Sequence, residues 1–276
     1  MSTSESLHID IEKAIKTKAP KASRNIPGFV FRFLERLICQ ERMNYLFERS
    51  KDKYGVDFAD GILKDMNVEV VLKGEENIPD NGKFIFASNH PLGGLDGMAL
   101  VKIFGDKYDK KVRFLVNDLL MNITNLATVF VPINKHGGQA RDNARLVNDA
   151  FDSDNQILIF PAGLCSRLGK DGNIRDLEWK KAVITKSIES QRDVVPVFFE
   201  GVNSSFFYKL AYWRKKLGIK ANIEMAFLPK EMFKNNNKTF VVHIGKPIAW
   251  ETFDKSKSQK AWANLLKNKV YELQDK

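Results

Sequence analysis

The sequence predicts an α/β fold: a mixed, mostly parallel sheet flanked by helices, with an N-terminal helical lead-in. Short apolar runs rich in β-branched and aromatic residues recur at 68–72, 83–88, 112–116, 128–133, 157–160, 194–199 and 240–244. Helix-patterned stretches separate most of them, and strands alternating with helices argue for a parallel or mixed sheet. Ahead of the first run lie only helical patterns, so the expected division is a lead-in over 1–64 and an α/β domain over 65–276.

Taken in order, residues 1–25 carry Lys13, Lys16, Lys18, Lys21 and Arg24 around few large apolar side chains, and read as a mobile or loosely docked lead-in. Phe29, Phe33, Leu37, Tyr45, Leu46 and Phe47, with Arg32, Arg36 and Arg42 between them, form one or two amphipathic helices. Such helices either pack on the main domain or touch a membrane. A short helix at 57–66 precedes the first strand, and Pro79-Asp80-Asn81-Gly82 turns the chain into the second. Helices follow at 98–104, from Asp118, at 141–151 and at 179–190. Leu265, Leu266, Val270 and Leu273 mark a closing core helix.

The stretch that organises the chain runs from Phe84 to Gly97. A buried strand ends at Ser88, and Asn89-His90-Pro91-Leu92-Gly93-Gly94-Leu95-Asp96-Gly97 follows as a loop. Pro91 biases His90 away from the helical region, and Gly93-Gly94 permits a tight turn or a close approach to a ligand. Two readings fit the acid: Asp96 is a helix N-cap beside a loop histidine, or it orients His90 and stabilises its imidazolium while His90 takes a proton. The second needs the loop, because six residues of helix would point the two side chains in different directions.

Composition narrows the classes. The chain has 276 residues, 43% of them hydrophobic, enough for a sizeable core. Cys39 and Cys165 are the only cysteines, so no disulfide framework or paired-cysteine metal motif is expected. With His8, His90, His136 and His243 the only histidines, no metal site is expected; His136, which also follows a strand, is the one competitor to His90. The net charge of +10 suggests an acidic partner, such as an anionic membrane, an acidic protein or a nucleic acid. No nucleic-acid-binding motif is present, so none is expected as a partner. The N-terminus lacks the apolar core of a secretory leader, and no run of 18 apolar residues predicts a transmembrane helix. The G-x-S-x-G, phosphate-loop and H-E-x-x-H patterns are all absent.

Four blocks then occur in order: Asn89-His90 with Asp96, Val131-Pro132-Ile133-Asn134-Lys135, Phe160-Pro161-Ala162-Gly163 and Val194-Val195-Pro196-Val197. With the closing Val242-His243-Ile244-Gly245-Lys246-Pro247-Ile248, they resemble the glycerolipid acyltransferase family over roughly 68–248. The resemblance implies that His90 is a general base oriented by Asp96. An acceptor hydroxyl would then attack an acyl thioester directly, without an acyl-enzyme. It implies no cofactor, only acyl carrier protein or coenzyme A thioester as donor substrate. It places Asn89, Gly93, Gly94, Phe160, Pro161, Ala162 and Gly163 around the substrates, with Lys135, Arg141 and Arg167 available as cations for an anionic head group.

Two departures bear on the acceptor. Five residues separate His90 from Asp96 where the family usually has four, and Ala162 stands where the family carries Glu, with Arg167 two places later than the usual Arg. The Asn-His-Pro-Leu-Gly-Gly-Leu-Asp-Gly form resembles a bacterial, hemolysin-like branch that includes O-acyltransferases of lyso-ornithine and lyso-glycine lipids. The expectation is therefore a lyso-amino-acid lipid acceptor, with lysophosphatidic acid as the alternative and a non-catalytic lipid-binding protein as a third reading. Residues 204–217 combine Phe206, Leu210, Trp213 and Leu217 at helical spacing with four basic residues and no acid. That helix either packs by its aromatics or meets a membrane, and the chain is expected at the cytoplasmic membrane face as a peripheral protein.

Overall fold

The computed structural model describes residues 7–133 and 140–275. Asp10 caps α1 (Ile11–Lys18) by accepting the Lys13 N–H, and α2 (Pro20–Ser23) follows. The amphipathic stretch is two helices, α3 (Gly28–Leu37) and α4 (Gln40–Arg49), parted by Cys39 in a left-handed conformation at φ 52°. Next come α5 (Gly55–Asp65), β1 (Glu69–Lys73), β2 (Phe84–Ser88), α6 (Leu95–Lys107), β3 (Val112–Val116), β4 (Phe130–Pro132), α7 (Ala140–Asp152) and β5 (Gln156–Ile159). A small hairpin of β6 (Arg167–Leu168) and β7 (Ile174–Arg175) precedes α8 (Ala182–Ser190), β8 (Asp193–Phe199), α9 (Ser205–Lys216), α10 (Leu228–Phe233), β9 (Thr239–Ile244) and α11 (Gln259–Tyr271). Residues 118–122, where a helix is expected, form a single 3₁₀ turn.

The main sheet has seven strands in the order β1-β9-β8-β2-β5-β3-β4. Every pairing is parallel except β8 with β9, so β1 and β9 run against the other five. Pro196 sits inside β8 at no cost to the ladder. Its missing N–H faces the point where the neighbouring chain leaves β9, between the Val197–Ile244 pair and the Val194–Ile248 bridge.

Because β2 is covered on both faces, its alternate side chains enter two cores. Phe84 and Phe86 join α5 and α6, where Phe86 stacks on Phe104 at 3.8 Å. Ile85 and Ala87 join α8 and α11, with Trp179, Ile184, Leu266 and Val270. The first core also takes Leu46 and Phe47 from α4 and Val56, Phe58 and Ile62 from α5. The expected 64/65 boundary thus falls within the last turn of α5, whose apolar face belongs to the same core as the sheet. Gly105 makes that contact possible, since a Cβ there would lie 2.3 Å from Val56 Cγ2.

Candidate active site

Parallel strands deliver their carboxyl ends to one edge, the usual place for chemistry in such sheets. His90 leaves β2 there, and the turn after the neighbouring β5 brings Phe160 beneath it. The two rings stack at 3.9 Å with planes 18° apart, and Phe114 supports Phe160 at 5.1 Å. Within that turn the Gly163 N–H donates to the Phe160 carbonyl at 2.9 Å, placing Pro161, Ala162 and Gly163 beside the imidazole's support. Ala162 is buried.

The loop closes Asp96 onto the ring. His90 Nδ1 lies 2.9 Å from Asp96 Oδ2. The same oxygen accepts the Leu92 N–H at 2.9 Å and the Gly93 N–H at 3.3 Å, while Oδ1 accepts the Gly97 N–H at 2.9 Å. Asp96 thus belongs to the first turn of α6, where the helix dipole favours an anion, and it also partners His90. The N-cap reading is corrected: Gly94 holds the N-cap position without a side-chain cap, and Asp96 lies inside the first turn with its carboxylate turned back to the loop and His90. A glycine at 93 is required: its φ is +88°, and a Cβ would lie 2.7 Å from Cys165 Sγ and 2.8 Å from Leu228.

An ionised carboxylate can only accept, so the proton of neutral His90 sits on Nδ1 and Nε2 presents a lone pair. Burial pushes the His90 pKa down, but the Asp96 carboxylate, helped by the adjacent Cys165 thiol, holds it well above the ordinary 6.5. Burial raises Asp96, yet the His90 charge and the backbone donors leave it below the usual carboxylate value. The arrangement can take a proton at Nε2 and stabilise the resulting imidazolium. The His90 side chain is only 14% exposed and that of Asp96 wholly buried.

Other groups, unmarked in the sequence, lock the loop. Asp176 accepts the His90 backbone N–H at 3.1 Å, the Ser166 hydroxyl at 2.7 Å and the Trp179 indole N–H at 2.9 Å. The Ser166 N–H donates to the His90 carbonyl at 2.7 Å, and Asn203 Nδ2 donates to the Pro91 carbonyl at 3.0 Å. Asn89 turns away from the imidazole. Its amide exchanges two hydrogen bonds with the Phe199 backbone, at 2.9 and 2.7 Å, continuing the β2–β8 ladder by one side chain. None of Asp176, Asn203 or Cys165 lies in a recognisable motif; only their long-range partners distinguish them.

The expected cations disperse. Arg167 Nη2 donates to the buried Glu224 at 2.9 Å and its Nη1 to the Cys165 carbonyl at 2.7 Å, so this guanidinium is held within the protein. Arg141 is exposed at the start of α7. Lys135, like the competitor His136, lies outside the described residues. Gly94 is the residue before α6, and a Cβ there would meet nothing within 4 Å. A cleft of about 570 Å³ adjoins the loop, lined by Asn89, Pro91, Ser166, Arg175, Glu200 and Tyr271 among others, but not by His90 or Asp96. Among the described residues no cluster of His, Cys, Asp and Glu could hold a metal ion.

Residues 13–276 match the model of a protein family described as Acyltransferase. The chain belongs to this acyltransferase family. It is 54% identical over 265 residues to a lyso-glycine lipid O-acyltransferase of Phocaeicola vulgatus, covering 96% of this chain and 95% of that one. A lyso-glycine lipid O-acyltransferase of Bacteroides thetaiotaomicron is also 54% identical over 265 residues, covering 96% of this chain and 97% of its own length. Among solved structures, the 1-acyl-sn-glycerophosphate (LPA) acyltransferase PlsC of Thermotoga maritima aligns with a TM-score of 0.47 and 15% identity, over 88% of this chain and 96% of that one. The protein is thus an acyltransferase, and the family resemblance of its sequence blocks is borne out.

Proposed function

We propose that this acyltransferase moves a fatty acyl chain from an acyl thioester to the hydroxyl of a lyso-amino-acid lipid, with lyso-glycine lipid the leading acceptor, at a membrane surface. The observation that carries the chemistry is the His90 Nδ1–Asp96 Oδ2 contact at 2.9 Å, on a loop whose His90, Pro91, Leu92 and Gly93 backbone groups are hydrogen-bonded by side chains. His90 Nε2 takes the acceptor's hydroxyl proton as the oxygen attacks the thioester carbonyl. The new C–O bond forms, the tetrahedral oxyanion collapses, the C–S bond breaks, and the imidazolium returns its proton to the departing thiolate. Asp96 stabilises the imidazolium between those two transfers. Acyl carrier protein or coenzyme A is the thioester carrier.

Support for the acceptor comes from the two related lyso-glycine lipid O-acyltransferases and from Ala162, whose small buried side chain offers no hydrogen bond to a glycerol hydroxyl. Support for a peripheral attachment comes from the chemistry of a lipid acceptor. Among the described residues, no helix is long and apolar enough to cross a membrane. The deciding test incubates purified protein with acyl carrier thioester and, separately, lyso-glycine lipid or lysophosphatidic acid, with product read by mass spectrometry. Lyso-glycine lipid is expected to win by at least about tenfold in kcat/KM, corresponding to about 1.4 kcal/mol in transition-state binding. The opposite preference overturns the acceptor assignment. His90→Ala is expected to lose roughly two orders of magnitude or more of turnover while staying folded. A folded variant of normal turnover rules out His90 as base.

A further inference from the structure

The segment from α9 to Ile223 carries a surface that the reaction does not account for. α9 turns Phe207, Tyr208 and Ala211 inward. On the outside stand Phe206, Tyr212, Trp213, Leu217, Ile219 and Ile223, with Trp213 52% and Leu217 71% exposed. Lys209, Lys215, Lys216 and Lys220 are exposed among them, and no acidic residue occurs between Ser204 and Ile223. Lys216 Nζ sits 4.9 Å from the Trp213 ring centroid. Soluble surfaces seldom collect so many contiguous large apolar side chains. Aromatic and aliphatic groups protruding among lysines, with no acid to repel phosphate, match the interfacial zone of an anionic bilayer. An acidic protein partner would account for the lysines but not for the exposed Leu217, Ile219 and Ile223.

The same segment is fastened to the catalytic loop. Glu224, wholly buried, faces Arg214 Nε at 2.8 Å and accepts from Arg167 Nη2 at 2.9 Å. Arg167 in turn donates to the Cys165 and Ser166 carbonyls, and the Ser166 N–H holds the His90 carbonyl. Leu228, just beyond, packs against Gly93. A bilayer gripping the outer face would therefore lie against elements that contact the His90–Asp96 loop.

We propose that the Phe206–Ile223 surface docks this protein on an anionic lipid bilayer. The inference deepens, and rests on, the reading of the protein as a lyso-lipid acyltransferase. Arg214 is excluded from the test because the Glu224 pairing makes it structural. Full-length protein is floated with vesicles of phosphatidylcholine alone, and of phosphatidylcholine and phosphatidylglycerol in equal parts. Wild type is expected to prefer the anionic vesicles and to be released by salt. The triple variant Lys215→Glu, Lys216→Glu, Lys220→Glu is expected to lose at least about tenfold in anionic vesicle affinity. Trp213→Ser with Leu217→Ser is expected to weaken binding comparably. A control with the same charge change, Lys83→Glu, Lys107→Glu, Lys111→Glu, lies at the opposite edge of the sheet and is expected to stay within about twofold. Equal loss in face and control variants, or unchanged affinity in the face variants, overturns the proposal. So does loss of affinity for acyl carrier protein with vesicle binding intact, which would assign the face to the carrier. Turnover is measured separately. Site-specific vesicle binding without acyl transfer sinks the proposed activity alone, and acyl transfer with unaltered vesicle affinity in the face variants sinks this surface alone.

Discussion

Two histidine–carboxylate pairs lie near the carboxyl edge of the β2–β8 strands, and they differ in everything but their contact. His90 meets Asp96 at 2.9 Å and His243 meets Glu200 at 2.6 Å. His90 stands on a loop past its strand and binds its acid through Nδ1, with Nε2 on the far side of the ring. His243 is inside β9, flanked by Phe198, and spends Nε2 on its acid. Asp96 is sealed from solvent and held by three backbone N–H groups, whereas the Glu200 side chain is 40% exposed and opens into the adjoining cleft. A general base gains from an immobilised acid and a far nitrogen that can face a reactant, and the His90–Asp96 pair has its acid held by backbone N–H groups.

The comparison breaks first at Asp96. Asp96→Asn is expected to cost roughly two orders of magnitude or more in kcat, because an amide can hold the wrong tautomer and cannot stabilise the imidazolium. The same change sharpens the pH argument. His90 must be deprotonated to act, and its pKa lies above 6.5, so kcat/KM should rise with pH through an inflection above that value. Removing the Asp96 charge takes away the interaction that raises the pKa, so the inflection of the residual activity should move down. An unmoved inflection would show that the titrating group is not His90.

Gly93→Ala should be the next largest. It imposes φ +88° on an alanine and drives its Cβ toward Cys165 and Leu228. A loss of about 1–3 kcal/mol in chemical denaturation, together with reduced kcat, is expected. Gly105→Ala separates scaffold from site. Its Cβ would collide with Val56, so a similar stability loss of about 1–3 kcal/mol is expected, with kcat of the folded fraction little changed. Glu200→Gln should matter least. Turnover should stay within about twofold, and stability should move by less than about 1 kcal/mol, as for a partly exposed pair. A large loss of turnover in Glu200→Gln would make the second pair a participant and erase the contrast.

Local chemistry made much of this molecule legible in one dimension. The seven strands of the main sheet coincide with the apolar runs: β2, β4 and β5 are buried along their whole length and so mostly apolar, while the edge strand β1 shows only as the apolar centre of a largely exposed segment. Ser204 announced the start of α9, and its Oγ accepts the Phe207 N–H there. The Asn-His-Pro-Leu-Gly-Gly-Leu-Asp-Gly string carried both the His90–Asp96 pair and the glycine its turn requires, since those depend on neighbours in sequence. The hairpin of β6 and β7 escaped, because two-residue strands have no period to detect.

What only the tertiary structure decided are relations between distant residues. Asp176 stands 86 residues from His90 yet accepts its N–H, and Glu224 stands 57 residues from Arg167 yet holds its guanidinium. No spacing rule could mark either acid, because the partner of a buried charge is set by which loops the sheet brings to its edge. The same holds for α9. Its composition alone left open whether the aromatics pack inward or face outward, and the fold resolved it by burying Phe207 and Tyr208 while leaving Trp213 and Leu217 exposed. Sequence determined most of the elements and the His90–Asp96 contact through local sterics and apolar periodicity. Tertiary structure decided which charges are spent internally and which surfaces remain, because desolvation and pairing depend on three-dimensional neighbours.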